Sequence, residues 1–249
     1  MASQLTANRR STDTGFGRLT VIGSGGKFIG PSFRSRRLGP EWGLLDEFLK
    51  APLFRVPSGC EAIVFREPRL PSGFPDLVIV ILDEQMTGTW VPAREALTRE
   101  DVRLAHYIYR TGKCSVERLK TLFAGTVSSS LQRLAAAQMI SLDGSNWQLA
   151  PLNSVFATQE IIAVEAKMSE WKVGLEQALL NTWFASVSYM LVPSVANGSA
   201  VLERARALGI GVWTKEDNPV KPGKPQLQPC SYASWLFNEW ALRASAEAK

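Results

Sequence analysis

The chain has 249 residues, of which 45% are apolar and 20% charged, so it can build one large domain or two modest ones with cores of their own. Its longest apolar run, residues 77–82, has the length of a strand and falls far short of a membrane span. The polar N-terminal stretch lacks the apolar segment of a secretory signal, so we expect a cytoplasmic protein without membrane contact. The net charge of +5 permits nucleic-acid binding but does not require it.

Cysteine and histidine usage excludes several kinds of site. Cys60, Cys114 and Cys230 are scattered, with no pair at metal-ligand spacing, which argues against a zinc site or a disulfide framework and for a reducing compartment. His106 is the only histidine, which excludes any mechanism that needs two. We expect it to be structural.

Residues 1–39 are rich in Ser, Gly and Arg and predict a flexible basic arm. Arg34, Arg36 and Arg37 could contact phosphates, although a solvated terminus without a ligand explains the same composition equally well.

A helix and two strands are predicted next. The helix opens at Pro40 and buries a stripe formed by Leu44, Leu45, Phe48 and Leu49. The strands cover residues 61–65 and 75–82, and the short loop between them suggests an antiparallel pair. Pro75 and Asp76 open the second strand, which places a carboxylate at its very start.

Residues 93–150 predict a winged helix-turn-helix module, with three short helices followed by a hairpin over 139–149. Its third helix, residues 126–138, would enter the major groove, and residues 143–146 would form the wing. The residues expected to contact nucleic acid are Arg118, Lys120, Ser128, Ser129, Gln132 and Arg133. Winged helices also serve as protein-contact or dimerisation modules, so a protein partner is the alternative.

The stretch from Glu160 to Met168 predicts a buried strand with two charges near its end. Because side chains alternate between the faces of a strand, Glu165 and Lys167 should point the same way. A helix is predicted over 169–185, with Gln177 on one of its apolar stripes, where an amide needs a polar partner.

The remainder of the chain completes an α/β pattern. Strands are predicted at 187–192 and 211–214, with a helix at 202–208 between them. A loop rich in Pro and Lys covers 215–229, and a Trp-bearing helix covers 232–248.

Pro75-Asp76 together with Glu165-Ala166-Lys167 resembles the paired motifs of the PD-(D/E)XK nuclease superfamily. The resemblance implies an α/β restriction endonuclease-like fold, a mixed sheet flanked by helices, over residues 40–92 and 151–249, interrupted by the winged-helix insertion. Some members carry Gln-x-x-x-Tyr on the helix after the second motif. Here the fourth residue after Gln177 is Asn181, so only the glutamine carries over.

The resemblance also implies a metal-dependent site. Asp76, Glu165 and the carbonyl of Ala166 would hold Mg²⁺ or Mn²⁺, hard cations that prefer oxygen ligands. Lys167 would orient or deprotonate the attacking water. An additional acid is expected at Glu47, with Glu61 as the alternative.

These motifs predict a metal-dependent DNA endonuclease acting on double-stranded DNA, with Asp76, Glu165, Lys167 and Gln177 as its catalytic residues. A homodimer is one option, since cutting both strands of a duplex generally needs two active sites. The alternatives are an inactive nuclease-like DNA-binding or assembly factor, an RNA-directed nuclease, and a non-enzymatic domain with a buried Glu165–Lys167 ion pair.

Overall fold

The computed structural model describes residues 10–14, 17–22, 33, 39–51, 56–87, 90–123, 125, 127–196, 199–223 and 231–247. The chain divides into two compact units. The first contains the described residues of Met1–Ile81 and Gln159–Gln228, and the second those of Leu82–Thr158 and Pro229–Lys249. Arg34, Arg36 and Arg37, predicted to contact phosphates, lie outside the described residues, as does Cys230.

The described elements are named in chain order. The strands are β1 (Arg10–Thr14), β2 (Gly17–Ile22), β3 (Cys60–Arg66), β4 (Leu77–Asp83), β5 (Lys113–Ser115), β6 (Ile140–Asp143), β7 (Asn146–Leu149), β8 (Thr158–Ala166), β9 (Val187–Leu191) and β10 (Gly211–Trp213). The helices are α1 (Pro40–Lys50), α2 (Glu84–Thr87), α3 (Arg99–Thr111), α4 (Val116–Leu122), α5 (Val127–Ala136), α6 (Leu152–Val155), α7 (Trp171–Asn181), α8 (Ala200–Leu208) and α9 (Tyr232–Ala246), with a short 3-10 helix at Pro92–Ala96.

A seven-stranded mixed sheet organises the first unit, in the order β1-β2-β3-β4-β8-β9-β10. Strands β8, β9 and β10 run parallel, whereas β1 and β2 are antiparallel. The predicted α/β class with a mixed sheet flanked by helices is therefore confirmed. Strands β4 and β8, which carry the two predicted motifs, are direct neighbours although ninety residues separate Asp76 from Ala166.

Helices cover both faces of the sheet because its central strands are apolar on both sides. Leu44, Leu45 and Phe48 of α1 pack on one face, against alternate residues of β4 and β8. Helices α7 and α8 pack on the other, in a core that includes Leu175, Met190 and Leu202. Because strand residues alternate, a polar side chain at the end of β8 lies on either the α1 side or the α7 side.

Two segments of the flexible arm predicted over 1–39 form strands among the described residues. Residues 10–14 and 17–22 pair as an antiparallel hairpin, and β2 continues the sheet beside β3 in a parallel register that matches Leu19 with Ala62. Composition favoured a mobile segment, but an edge of β3 offers backbone hydrogen bonds that a short strand satisfies regardless of its composition.

The second unit combines helices α3, α4 and α5 with a small antiparallel sheet in the order β5-β7-β6. Helix α3 begins at Thr98 with a capping box, in which the Thr98 and Asp101 side chains accept each other's backbone N–H groups. Strand β5 was not predicted, because three residues are too few to give an apolar alternation. The three helices and the hairpin lie near the predicted boundaries.

Helix α9 belongs to the second unit, whereas the sequence placed it in the nuclease-like part. Glu239 accepts two hydrogen bonds from the buried guanidinium of Arg94, at 3.0 and 2.5 Å. The neighbouring Asn238 accepts the backbone N–H of Ala157 at 2.8 Å. Trp235 packs against His106 with ring centroids 6.2 Å apart, in keeping with the structural role expected for the histidine. Buried polar contacts of this kind cannot be predicted from a local sequence pattern, because the two partners are far apart in the chain.

None of the helices among the described residues combines the length and the apolar character that crossing a membrane requires.

Candidate active site

Asp76 and Glu165 approach each other at the adjoining ends of β4 and β8. The backbone N–H of Ala166 donates to Oδ2 of Asp76 at 2.8 Å, which fixes the aspartate against the end of β8. Glu165 precedes Ala166 and points to the α7 side of the sheet. The structure therefore brings the predicted pair of carboxyl groups together within the first unit.

Glu165 is almost completely buried, with a relative exposure of 3%. The side-chain amide of Asn181, the last residue of α7, donates to its Oε1 at 2.7 Å. Burial and the charge of Asp76 raise the pKa of Glu165 to about 8, although the Asn181 hydrogen bond and the charge of Lys167 oppose them. Glu165 is thus largely protonated at neutral pH when no cation is nearby.

Asp76 is partly buried, and burial is the main cause that raises its pKa. The Ala166 hydrogen bond and the charge of Lys167 favour the ionised form, whereas the charge of Glu41 opposes it. A hydrogen bond between the Asp76 and Glu165 carboxyl groups lowers the pKa of Asp76 and raises that of Glu165. The two carboxyl groups thus share one proton, which resides mainly on Glu165.

Lys167 is held on the same side as Glu165. Its backbone N–H donates to the carbonyl of Leu191 at 2.9 Å, which continues the pairing of β8 with β9 by one residue. Its stem lies against Gly174 of α7, where a Cβ would come within 2.7 Å of the lysine Cγ. None of the ion pairs formed by the described residues joins Lys167 to Glu165. The arrangement therefore differs from a simple buried ion pair.

Gln177 lies on the same side of α7 as the residues that contact the site. Gly174, three residues before it, adjoins Lys167, and Asn181, four residues after it, binds Glu165. The Gln177 side chain is partly buried, and its buried Oε1 has no hydrogen-bond partner among the described residues. An acceptor in this position suits a water or a ligand group at the site.

The additional acid is not where it was predicted. Glu47 forms an ion pair with Lys215 at 2.7 Å, in a part of α1 bordered by Trp213. Glu61 lies at the opposite end of β3 from Glu67, whose backbone N–H bonds to the carbonyl of Asp76, and six residues of strand place it about 20 Å from the site. Instead, Glu41 in the first turn of α1 acts on Asp76 by its charge.

Mg²⁺ and Mn²⁺ prefer several oxygen ligands. No group of three or more His, Cys, Asp or Glu side chains within the described ranges is arranged to hold a metal ion. The pair formed by Asp76 and Glu165 nevertheless suits a hard cation, because both groups offer oxygen ligands. A bound cation would replace the proton that the pair holds in its absence. The carbonyl of Ala166 adds an oxygen on the Asp76 side, because the N–H and C=O of one strand residue point the same way.

The predicted nucleic-acid contacts fall into two groups. Five of the six side chains are exposed: Arg118, Lys120, Ser128, Ser129 and Gln132. Arg133 instead donates two 2.8 Å hydrogen bonds to the buried carboxylate of Asp101. Burial raises the pKa of Asp101, but hydrogen bonds from Arg133 and Ser130 outweigh it, so the pKa is lowered overall. Arg133 is therefore a structural link between α5 and α3.

Three residues at the site were missed by the sequence interpretation. Asn181 departs from the tyrosine that some members of the resembled superfamily carry at this position, yet it lies one helical turn beyond Gln177 and binds Glu165. Gly174 permits the close approach of Lys167, and Glu41 lies in the first turn of α1. Only the i, i+4 spacing of Gln177 and Asn181 offered a signal in the sequence.

Comparison of the chain with protein-family models, curated proteins and solved structures gave no match.

Proposed function

We propose that the first unit is a metal-dependent phosphodiesterase that cleaves DNA. The observation that supports this most strongly is the convergence of Asp76 and Glu165 from two adjacent strands, with the charge of Lys167 acting on both. The PD-(D/E)XK resemblance of the same residues adds to it. A buried acid pair that shares a proton is costly to a fold and is typical of functional sites.

Each residue has a distinct role in the proposed reaction. Asp76, Glu165 and the Ala166 carbonyl would hold Mg²⁺ or Mn²⁺, which supplies charge stabilisation to the scissile phosphate when bound. Asn181 keeps Glu165 oriented through its hydrogen bond. Lys167 positions the attacking water and balances negative charge at the phosphate, and Gln177 accepts a hydrogen bond from that water.

For the second unit we propose a winged helix-turn-helix that binds DNA. Its element order, α3-β5-α4-α5-β6-β7, with the sheet order β5-β7-β6, supports this proposal. Lys120 and Ser128 present exposed side chains on α4 and α5. The unit contributes affinity for the phosphate backbone, whereas the chemistry belongs to the first unit.

The proposal is tested by incubating the purified protein with supercoiled plasmid, single-stranded DNA and RNA, each with Mg²⁺, with Mn²⁺ or with EDTA. We expect metal-dependent cleavage of DNA that is lost in Asp76→Asn and Lys167→Ala. Lys172→Ala is the matched control, because Lys172 is an exposed lysine on α7.

Three outcomes would overturn the assignment. Cleavage that persists in both site variants would place the activity elsewhere. DNA binding without cleavage by the unaltered protein would indicate an inactive nuclease-like binding factor. Cleavage restricted to RNA would identify a ribonuclease.

A further inference from the structure

Trp183 is the only one of the eight tryptophans whose side chain is exposed, and all eight lie within the described residues. It lies two residues after the end of α7 and has a relative exposure of 39%. Large aromatic rings are usually removed from water in a folded protein, so an exposed indole near a candidate active site suggests a binding role.

The indole is fixed by contacts on two sides. Its Nε1 donates to Oγ of Ser72 at 3.2 Å, and its ring packs edge-on against Phe184 with centroids 5.4 Å apart. Ser72 itself lies in a tight turn closed by hydrogen bonds in both directions between Leu70 and Gly73, at 2.8 and 3.1 Å. The polar group of the indole is thus satisfied within the protein, and the apolar ring remains available in a fixed orientation.

A second exposed ring belongs to the same turn. Phe74 also has a relative exposure of 39% and lies two residues before Asp76. Trp183 in turn lies two residues after Asn181, which binds Glu165. Phe74 is therefore two residues from one carboxyl group of the site, and Trp183 is two residues from the amide that binds the other. Arg69, exposed in the same loop, adds a positive charge suited to a phosphate.

We propose that Trp183 and Phe74 form a stacking platform for unpaired nucleobases next to the scissile phosphate. This inference rests on the proposed function, and it narrows the substrate to single-stranded or locally unpaired DNA. In a duplex the faces of the bases are already stacked on one another, so contact with a protein ring first costs the energy of unstacking them. An unpaired base has a free π-face, which a rigid indole meets without sequence preference.

A protein partner is the competing occupant of this surface. Leu179 and Leu180 on α7 are also exposed, and a second copy of the chain would cover them together with Trp183. Position and charge favour the nucleobase. Phe74 lies two residues before Asp76, Trp183 two residues after Asn181, and the exposed Arg69 in the same loop as Phe74 complements a phosphate, which an apolar interface between two copies would not need.

The test measures binding of a labelled oligothymidylate by the metal-free protein in EDTA, using fluorescence anisotropy. We expect Trp183→Ala to weaken binding about tenfold, and Trp183→Phe to retain most of the affinity because it keeps a ring. Leu180→Ala is the matched control and should bind as the unaltered protein does. An oligonucleotide of abasic residues should bind the unaltered protein no more tightly than oligothymidylate binds Trp183→Ala, because it offers a base to neither ring.

Equal oligothymidylate binding by Trp183→Ala and the unaltered protein would overturn the inference. A second result would also overturn it. If Trp183→Ala and Leu180→Ala both changed the sedimentation coefficient of the protein while their affinity for oligothymidylate stayed the same, the surface would be assigned to contact with a second copy of the chain. Circular dichroism verifies that each variant is folded. Ser72→Ala removes the hydrogen bond to the indole but leaves the ring in place, so it should weaken binding by less than Trp183→Ala does.

Measurements of binding and of cleavage distinguish the nucleobase platform from the nuclease activity. Loss of binding in Trp183→Ala, with no metal-dependent cleavage by the unaltered protein, would leave a nucleobase platform on a protein that is not a nuclease. Cleavage that depends on Lys167 but not on Trp183, with unchanged oligothymidylate binding, would retain the nuclease and remove the platform.

Discussion

The amide of Asn181 donates a 2.7 Å hydrogen bond to Oε1 of Glu165, and so joins the last residue of α7 to the end of β8. A donor favours the ionised form of a carboxyl group, and this bond accordingly lowers the pKa of Glu165, against the effects of burial and of Asp76. Asn181 therefore helps to set the pH range in which Glu165 carries the charge that a cation needs.

Replacing Asn181 with Ala should move the proposed activity to higher pH. Without the donor, the pKa of Glu165 rises above its value of about 8. We expect the midpoint of the rising limb of the pH–rate profile to shift upward by about one pH unit, which corresponds to the loss of one hydrogen bond to a charged group. The measurement is the Mn²⁺-dependent cleavage rate from mildly acidic to alkaline pH.

Thr182→Ala serves as the control for this shift, because Thr182 is the exposed neighbour of Asn181 and its hydroxyl donates to the backbone carbonyl of Leu179 at 2.7 Å. An unchanged midpoint in Asn181→Ala would show that Glu165 is not the group that limits the rate.

Binding of Mg²⁺ should release a proton at neutral pH. Because Glu165 holds a proton below its pKa of about 8, a cation at the acid pair must displace it. We expect the affinity for Mg²⁺ to rise with pH and to level off above about pH 8. Calorimetric titrations in two buffers of different ionisation enthalpy count the protons, and Glu165→Gln should release none. Proton-free binding by the unaltered protein would place the cation elsewhere.

Metal-free stability should depend on pH through the same group. Between pH 4.5, the ordinary value for glutamate, and about 8, the folded protein keeps the proton that the unfolded chain has lost. The folded state binds more protons in this window, so stability falls as pH rises through it and is constant above. Glu165→Gln, neutral throughout, should gain on the order of 2–4 kcal/mol relative to the unaltered protein between these limits.

Urea unfolding in EDTA at about pH 5 and about pH 9 measures this difference. Glu47→Gln, on the surface of α1, is the control: it keeps Glu165, so its stability should fall with pH as that of the unaltered protein does. Parallel behaviour of Glu165→Gln and the unaltered protein would mean that Glu165 is ionised in the folded state.

Gly174 is predicted to position Lys167. An added Cβ would lie 2.7 Å from the lysine Cγ and 3.1 Å from Sδ of Met190, so either the lysine or the helix must move. We expect Gly174→Ala to lower the cleavage rate about 10- to 100-fold. Gly43→Ala is the matched control, since Gly43 is also within a helix but has nothing within 4 Å of its Cβ position. It should keep activity and gain about 0.5–1 kcal/mol of stability.

The central strands could be predicted from the sequence because their apolar character is local. Leu77–Asp83 and Thr158–Ala166 carry the runs that a doubly covered sheet requires, so the order of these elements and the neighbourhood of Asp76 and Glu165 followed from pattern and motif. The two strands of residues 10–22 could not be predicted, because their pairing depends on the available edge of β3.

Side-chain partnerships were the least predictable part of the candidate site. Glu47 and Glu41 are both acids of α1, and only the packing of that helix shows that one meets Lys215 and the other acts on Asp76. Likewise, Arg133 lies on the helix that the sequence predicts to enter the major groove. Its guanidinium nevertheless donates to the buried carboxylate of Asp101, which is thirty-two residues away in the chain.

Arg133 and Arg118 should therefore behave differently when each is replaced with Ala. Removal of Arg133 leaves the buried Asp101 without its bidentate partner and should destabilise the second unit by about 2–3 kcal/mol. Removal of Arg118, exposed on α4 and bonded to the Tyr107 hydroxyl at 3.2 Å, should change stability by less than about 0.5 kcal/mol. It should instead lower the slope of log binding constant against log salt concentration by about one, as expected for a phosphate contact.

Chemical denaturation measures the effect on stability, and DNA titrations over a salt series measure the effect on binding. If Arg133→Ala were as stable as the unaltered protein but bound DNA more weakly, Arg133 would belong to the nucleic-acid interface after all.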